Sequence, residues 1–300
     1  MIEFTLVFLV SYVLHAMGVT IGYHRLLSHR SFACPKFVEY FWVLMGYLAF
    51  EGSPIWWSTI HRAHHRHVDT PLDPHSPRYG FKNAHLGWLA RGTYESHIDP
   101  YSQAKDLVKD PIYLFLEQNG RWNRAHALSW VINVAFRVVL WACFGWQVAL
   151  ASMLAAVAVL QIPLMLNVAC HIPKLGYKNF KSLDDSVNVW WVALLAMGEG
   201  WHNNHHVFPG SARSGFLAHE IDVSWLVICL MRKLGLVGRV NEIPEAKMQN
   251  VRIDSPPAKQ KKFRKGWTSR PGWSARSEWI AAHRGFQKQL SPERVFSSKR

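Results

Sequence analysis

Residues 128–147 and 148–169 form two long, predominantly apolar runs, with Gly145 as the only turn signal between them. Each run is long enough, at about 1.5 Å per helical residue, to cross a hydrocarbon core of about 30 Å. Backbone polar groups in that environment must be satisfied within the segment, so the runs are expected as two membrane helices joined by a tight hairpin. Residues 4–22 form a third apolar stretch; no basic region precedes it and no small-residue cleavage site follows, so a membrane helix is the expectation rather than a signal peptide. Arg137, inside 128–147, must face protein or snorkel, Pro163 is expected to kink 148–169, and His15, inside 4–22, is read as a bundle-facing structural residue.

The segment 37–50 is apolar but reaches only about 21 Å, too short to span. It lies between histidine clusters, and if these share one site the chain cannot cross once between them. The segment is therefore expected to be interfacial or re-entrant. Interfacial helices are also expected over 189–201 and 223–236, and residues 58–127 as a polar cap. These spans predict an all-α integral membrane protein, a bundle of three to four spans under a cytosolic helical cap that holds a histidine-ligated di-metal site. Residues 1–240 form its membrane domain and 241–300 a basic, poorly ordered tail.

Composition agrees. Apolar residues make up 49% of the 300 residues, yet mean hydropathy is only −0.04, so they are concentrated in a few segments. The 15 Trp suit work at a membrane interface. Of the net charge of +14, residues 255–300 account for most, with 12 Lys/Arg against 2 Asp/Glu. A basic stretch so placed suits anionic lipid or an acidic electron-transfer partner and does not imply nucleic acid. The four cysteines show no regular framework, so neither disulfides nor an iron–sulfur site is expected.

Seventeen histidines exceed structural need, and their spacing is regular. His24 and His29 form H-x-x-x-x-H at the end of the first apolar helix. His61, His64 and His65 form H-x-x-H-H, repeated at His202, His205 and His206. The spacing i, i+3, i+4 puts three imidazoles on one helical face, where they can converge on a metal. Imidazole suits zinc, copper, iron and nickel. H-E-x-x-H is absent, and eight clustered histidines exceed one tetrahedral site and suit two metals. Iron is the expected metal, because it cycles through the oxidation states that O2 activation needs. Glu199, just before the third box, is placed to orient a ligand imidazole. His67, His85, His97, His126, His219 and His283 lack ligand spacing, and His75 is read as a loop-fixing residue.

The three boxes resemble those of the membrane fatty acid desaturases. The flanking text Gly22-Tyr23-His24-Arg25-Leu26, Asp73-Pro74-His75 and Gly198-Glu199-Gly200-Trp201 is similar to the Δ9 acyl-CoA desaturase branch and its bacterial and cyanobacterial relatives. The resemblance covers about residues 1–240. It implies a ninth histidine ligand, His171, and Asn167 contacting metal through water. It also implies two Fe2+ ions, O2 as co-substrate and a tunnel lined by Trp57. The implied reaction is removal of two hydrogens from a long saturated acyl chain, probed against a membrane hydroxylase or ketolase of the same histidine-box class as the alternative. The family usually has four membrane helices, with the first box after the second; here one strong apolar segment precedes it. Where animal acyl-CoA enzymes carry Arg-Asp before the second box, this chain has Thr59-Ile60, so the carrier stays open among CoA, acyl carrier protein and glycerolipid. Neither a cytochrome b5 His-Pro-Gly-Gly nor a ferredoxin cysteine set occurs, so electrons are expected from an external ferredoxin, cytochrome b5 or rubredoxin.

Overall fold

In the computed structural model, residues 1–253 are described. Helix α1 (Ile2–Met17) continues without a break into a π-wound segment, Gly18–Ser28. Together they make a 27-residue apolar helix, the first of three among the described residues long enough to cross a membrane. Helices α6 (Trp122–Phe144) and α7 (Trp146–Ala169) are the others. Gly145 joins them at φ +90°, a conformation open to glycine, so the expected hairpin forms where the sequence places its one turn signal.

Small residues let these helices approach. Ala151, Ser152, Ala155 and Ala156 are buried on α7, which packs along α1. Helix α2 (Lys36–Tyr47) lies against the π segment. A Cβ on Gly18 would fall 2.1 Å from the Gly46 backbone nitrogen, so only glycine permits the contact. At 12 residues, about 18 Å, α2 cannot cross. It exposes Phe37, Phe41 and Leu44 along one face. The chain then turns through Phe50 and Gly52, both at positive φ, into α3 (Pro54–His67). The short helix and the turn after it fit a segment that does not cross, as its length implies.

Polar groups inside the bundle hold that turn. The Arg137 guanidinium donates to the Leu48 carbonyl at 2.6 Å and to Asn133 Oδ1 at 2.7 Å. Asn133 donates to the Tyr47 carbonyl at 2.9 Å, and His15 Nδ1 lies 2.8 Å from the Met45 carbonyl. Arg137 and His15 therefore face protein, as expected, and tie off the carbonyls at the end of α2.

The cap over these helices contains short pieces, among them α4 (Pro100–Gln103) and α5 (Pro111–Glu117). Each starts with Pro behind an Asp whose side chain accepts two backbone N–H groups. The helix expected over 189–201 is shorter than that: α8 covers only Trp190–Leu195. Met197 and Gly198 take positive φ there, which ends the helix and turns the chain into the third histidine box. That box sits on α9 (His202–Val207), followed by α10 (Val223–Lys233) and α11 (Glu245–Gln249). Residues 241–253 lie on the body: Asn241 N–H donates to Ser31 O, and Ile253 N–H to Asn179 O. The rest of the basic tail, His283 included, lies outside the described residues.

Candidate metal centre

The first box lies on π-helix, and its spacing needs that winding. In an α-helix a residue five positions on is rotated by about 500°, roughly 140° away from the starting face. The i→i+5 bond from His29 N–H to His24 O (3.1 Å) tightens the offset. The two rings then meet edge to face, 4.8 Å between centroids. The second box lies on the last two turns of α3, which Ser53 caps and Pro54 opens.

Two arginines, each directly after a box histidine, join the boxes. Arg62 donates to the carbonyls of Leu27 (2.6 Å) and Ser28 (2.9 Å), fixing α3 to the end of the π segment, and pairs with Asp106. Arg25, fully buried, reaches Glu199 and Asp222, both at 2.9 Å, and the Ala212 carbonyl at 2.7 Å. It thereby fixes the first box to the third. Asn203 and Asn204, between the third-box histidines, anchor α9: Asn203 Oδ1 accepts N–H groups from Asn179 and Phe180, and Asn204 Nδ2 donates to Glu220 at 2.8 Å.

The histidines converge into two groups. His24, His29, His61, His65 and His205 form one; His64, His171, His202 and His206 form the other, and within each the ligand atoms lie within 4.8 Å of one another. Nε2 atoms face each other closely: His29–His61 2.8 Å, His205–His65 2.9 Å, and His24–His205 and His171–His202 both 3.1 Å. The opposite ring nitrogens meet carboxylates. His24 Nδ1 lies 2.8 Å from Glu199, His64 Nδ1 2.9 Å from Asp73, and His171 and His206 Nδ1 3.3 Å from Asp69 and Asp184. A proton on each of those Nδ1 atoms leaves a bare Nε2 lone pair pointing inward. Lone pairs about 3 Å apart repel unless a cation lies between them. Imidazole nitrogens about 2.1 Å from one metal and 90° apart would themselves be about 3.0 Å apart. The buried His206 Nε2 has no protein partner at all. The donor set thus fits two metal ions.

Electrostatics favour neutral ligands. Burial first, then the facing imidazoles, hold His61, His65, His202 and His205 well below the usual histidine range. Burial also lowers His206, to about 4, against the pull of Asp184. At His171 burial is outweighed by Asp69, and the ring is raised. Glu199, despite burial, is held at about 2 by Arg25 and His24, and Asp73 and Asp184 stay ionised against burial through their histidines.

Every histidine assigned to the boxes, with His171, is in one of the two groups. Asn167 is on α7 beside them, and Glu199 faces His24 as its position suggests. Trp57 stacks on His61, centroids 5.0 Å apart at 24°, and donates to Glu51 at 2.9 Å. Among the described histidines excluded on spacing, none joins either group. His75 stacks on His64 and shares Asp73 with it. Asp69, Asp73 and Asp184 escaped the sequence reading; only Asp73, in Asp73-Pro74-His75, carried a local signal. Arg25 and Arg62 had one too, since His-Arg opens both the first box and the second.

Beside the metal groups lies a cavity of about 240 Å³. His61, Asn167, Trp57 and Pro163 line it, and the same four border a smaller space of about 50 Å³ that also reaches His24, His64 and His202. Fold and site define a helical membrane protein with a buried polyhistidine metal centre opening on an apolar cavity.

The sequence model of the fatty acid desaturases matches residues 3–216. An sn-1 stearoyl-lipid 9-desaturase of Anabaena variabilis is 41% identical over 233 residues, 77% of this chain and 81% of that protein. A protein of the same description from Synechocystis is 38% identical, covering 81% and 73%. An acyl-CoA C20 Δ5-desaturase of Anemone leveillei is 37% identical, covering 80% and 77%. The chain belongs to the fatty acid desaturase family. It is a membrane oxidoreductase that desaturates fatty acyl chains; the hydroxylase or ketolase alternative is not favoured.

Proposed function

We propose that the chain introduces a double bond, at the Δ9 position, into a long saturated acyl chain, using O2 and two Fe2+ ions. The overall balance is R–CH2–CH2–R′ + O2 + 2 e⁻ + 2 H⁺ → R–CH=CH–R′ + 2 H2O. The two electrons come from an external one-electron donor such as a ferredoxin, cytochrome b5 or rubredoxin. When bound, the iron pair supplies the O2 chemistry that breaks unactivated C–H bonds.

The chain's residues supply placement. His24, His29, His61, His65 and His205 would hold one ion and His64, His171, His202 and His206 the other, with Asn167 contacting metal through water. Glu199, Asp69, Asp73 and Asp184 fix the Nδ1–H tautomer of their histidines and so aim Nε2 inward. Trp57, clamped between Glu51 and His61, is the wall against which the acyl chain lies. The histidine centre faces the cytosol, residues 1–240 act as the membrane domain, and the basic tail is an accessory segment.

The observation that carries this reading is that nine imidazoles converge in two groups, with His61 lining the apolar cavity and His24, His64 and His202 the smaller space beside it. The test is gas chromatography–mass spectrometry of fatty acid methyl esters from a desaturase-deficient host. New mono-unsaturated acids, absent with His61→Ala and with His205→Ala, are expected. Iron-loaded, membrane-inserted protein that yields none beside a competent donor would refute the proposal, and hydroxylated products would point to the rival chemistry.

A further inference from the structure

The cavity beside the metal centre is bordered by the helix bundle and, through Trp88 and Leu89, by the cap. Its wall includes Trp122, His126 and Trp130 from α6 and Leu160 and Leu164 from α7. Trp130 is 59% exposed, on the helix whose surface is least covered by protein. It lies eight residues into α6, about 12 Å along the helix from Trp122. With Trp122 at one end and Trp141 and Trp146 at the other, the helix has aromatic residues where interfaces are expected, and Trp130 falls between them. An opening beside the exposed Trp130 would therefore lie below the interface, in hydrocarbon.

The lining is also informative by charge. Its polar side chains are Glu51, His61, His75, His126 and Asn167, and no Lys or Arg is among the described lining residues. Arg121 and Arg124, exposed at the cap end of α6, do not line it. A water-soluble thioester carrier presents phosphates, which call for guanidinium or ammonium groups at the mouth. The cap beside α7 shows apolar surface instead: the Asn83–Gly87 turn packs on α7 and leaves Leu86, with nearby Phe81, exposed.

We infer that the substrate is an acyl chain still esterified to a bilayer glycerolipid, and that it enters sideways through a portal between α6 and α7, rimmed by Trp122, Trp130 and Leu160. This rests on the desaturase reading and specifies its carrier. Phe50 and Trp130, with ring centroids 4.8 Å apart, flank the opening. The headgroup stays at the interface, and the chain slides along Trp130 toward Trp57 and His61.

The full-length protein, iron-loaded and in nanodiscs of unlabelled lipid, tests this with two measurements. In the first, a phosphatidylcholine carrying a diazirine in its sn-1 chain is photolysed and the adducts mapped by mass spectrometry. Adducts are expected on Trp122, Trp130 and Leu160, reduced at least fivefold by excess distearoyl phosphatidylcholine but not by stearoyl-CoA. Leu160→Trp, which narrows the rim, is expected to reduce them at least fivefold at unchanged melting temperature. Adducts confined to the α2 face at Phe37, Phe41 and Leu44 would overturn the portal. That map needs no turnover, so it decides the portal even if the variant misfolds. In the second, stearoyl chains are offered as bilayer lipid, as stearoyl-CoA and as stearoyl-acyl carrier protein, with a reducing donor. Desaturation of the lipid is the expected result. Desaturation of a thioester alone would overturn the portal while leaving the desaturase reading intact. Desaturation of none would sink that reading, and with it the role of the portal.

Discussion

At the scale of single residues, the site is organised by carboxylates behind the histidines. Each sets one tautomer, so each should matter for metal affinity although none is aimed at the metal groups. Asp184 is a direct case, because it meets His206 from the loop that precedes α8. Asp184→Asn keeps the volume and removes the charge that holds Nδ1–H. Metal affinity should fall about 10–100-fold, read as iron content after dialysis against graded chelator. Unchanged retention would mean that His206 is oriented by packing alone. The histidines themselves were legible from spacing, since i, i+3, i+4 is a property of any helix. Asp69 and Asp184 were not, because their pairing with His171 and His206 depends on tertiary folding that brings together residues 102 apart in the first case. The His-Arg repeat was visible, but the use of Arg25 and Arg62 as staples depends on where the Glu199, Asp222 and Leu27 partners arrive.

Among elements, the α1–α2 contact and the α3–cap contact make separable predictions. Gly18 has helical φ (−58°), so Ala there would gain up to about 1 kcal/mol of helix propensity. Its Cβ, however, would sit 2.1 Å from Gly46 N and 2.5 Å from Met45 C, backbone atoms that cannot swing aside. Overpacking costs about 1–3 kcal/mol, so the net sign is destabilising, and Gly18→Ala should melt several degrees lower in detergent. An equal or higher melting temperature would show that α2 is free to move. Across the cap, Asp106 takes Arg62 and Arg30, which against burial hold its carboxyl at about 2. A carboxyl depressed in the folded state stabilises above its unfolded value of 3.8, and that stabilisation is lost as pH falls toward about 2. Asp106→Asn should therefore cost about 1–2 kcal/mol at pH 7, discounted for partial exposure, and the gap to wild type should close between pH 4 and pH 2, roughly the interval between those two values. A gap independent of pH would assign the loss to packing. The helices were readable from apolar length, and α2 as too short to span from its length between two histidine clusters. The π winding was not, because H-x-x-x-x-H does not announce which helix carries it, and α8 came out short because Met197-Gly198 supplies a turn that apolar content hides.

For the whole molecule, the three described helices long enough to cross, with the short α2 returning to the side it started from, give the bundle two ends. Ser28, Trp122 and Ala169 lie at the histidine end; Met1 and the Gly145 hairpin lie at the other. The basic residues are distributed unevenly between them. Arg30, Arg66, Lys105, Arg121 and Arg124 are at the histidine end, whereas residues 138–150, around the hairpin, contain no Lys or Arg. Lys and Arg within about 15–20 residues of the ends of membrane helices, as Arg30, Lys105, Arg121 and Arg124 are, favour the cytosolic side, which argues for a cytosolic metal centre. A native cysteine allows a direct check: Cys143 is exposed beside the hairpin, and Lys105 is exposed in the cap. In bacterial spheroplasts a membrane-impermeant maleimide should label Cys143 and not Lys105→Cys. In inside-out vesicles the pattern should reverse, with metal content unchanged by the substitution. Labelling of Lys105→Cys from outside would place the histidines, and therefore electron delivery, on the opposite face. It would also remove every cytosolic donor from consideration, because the centre can be reduced only by a protein that reaches the cap.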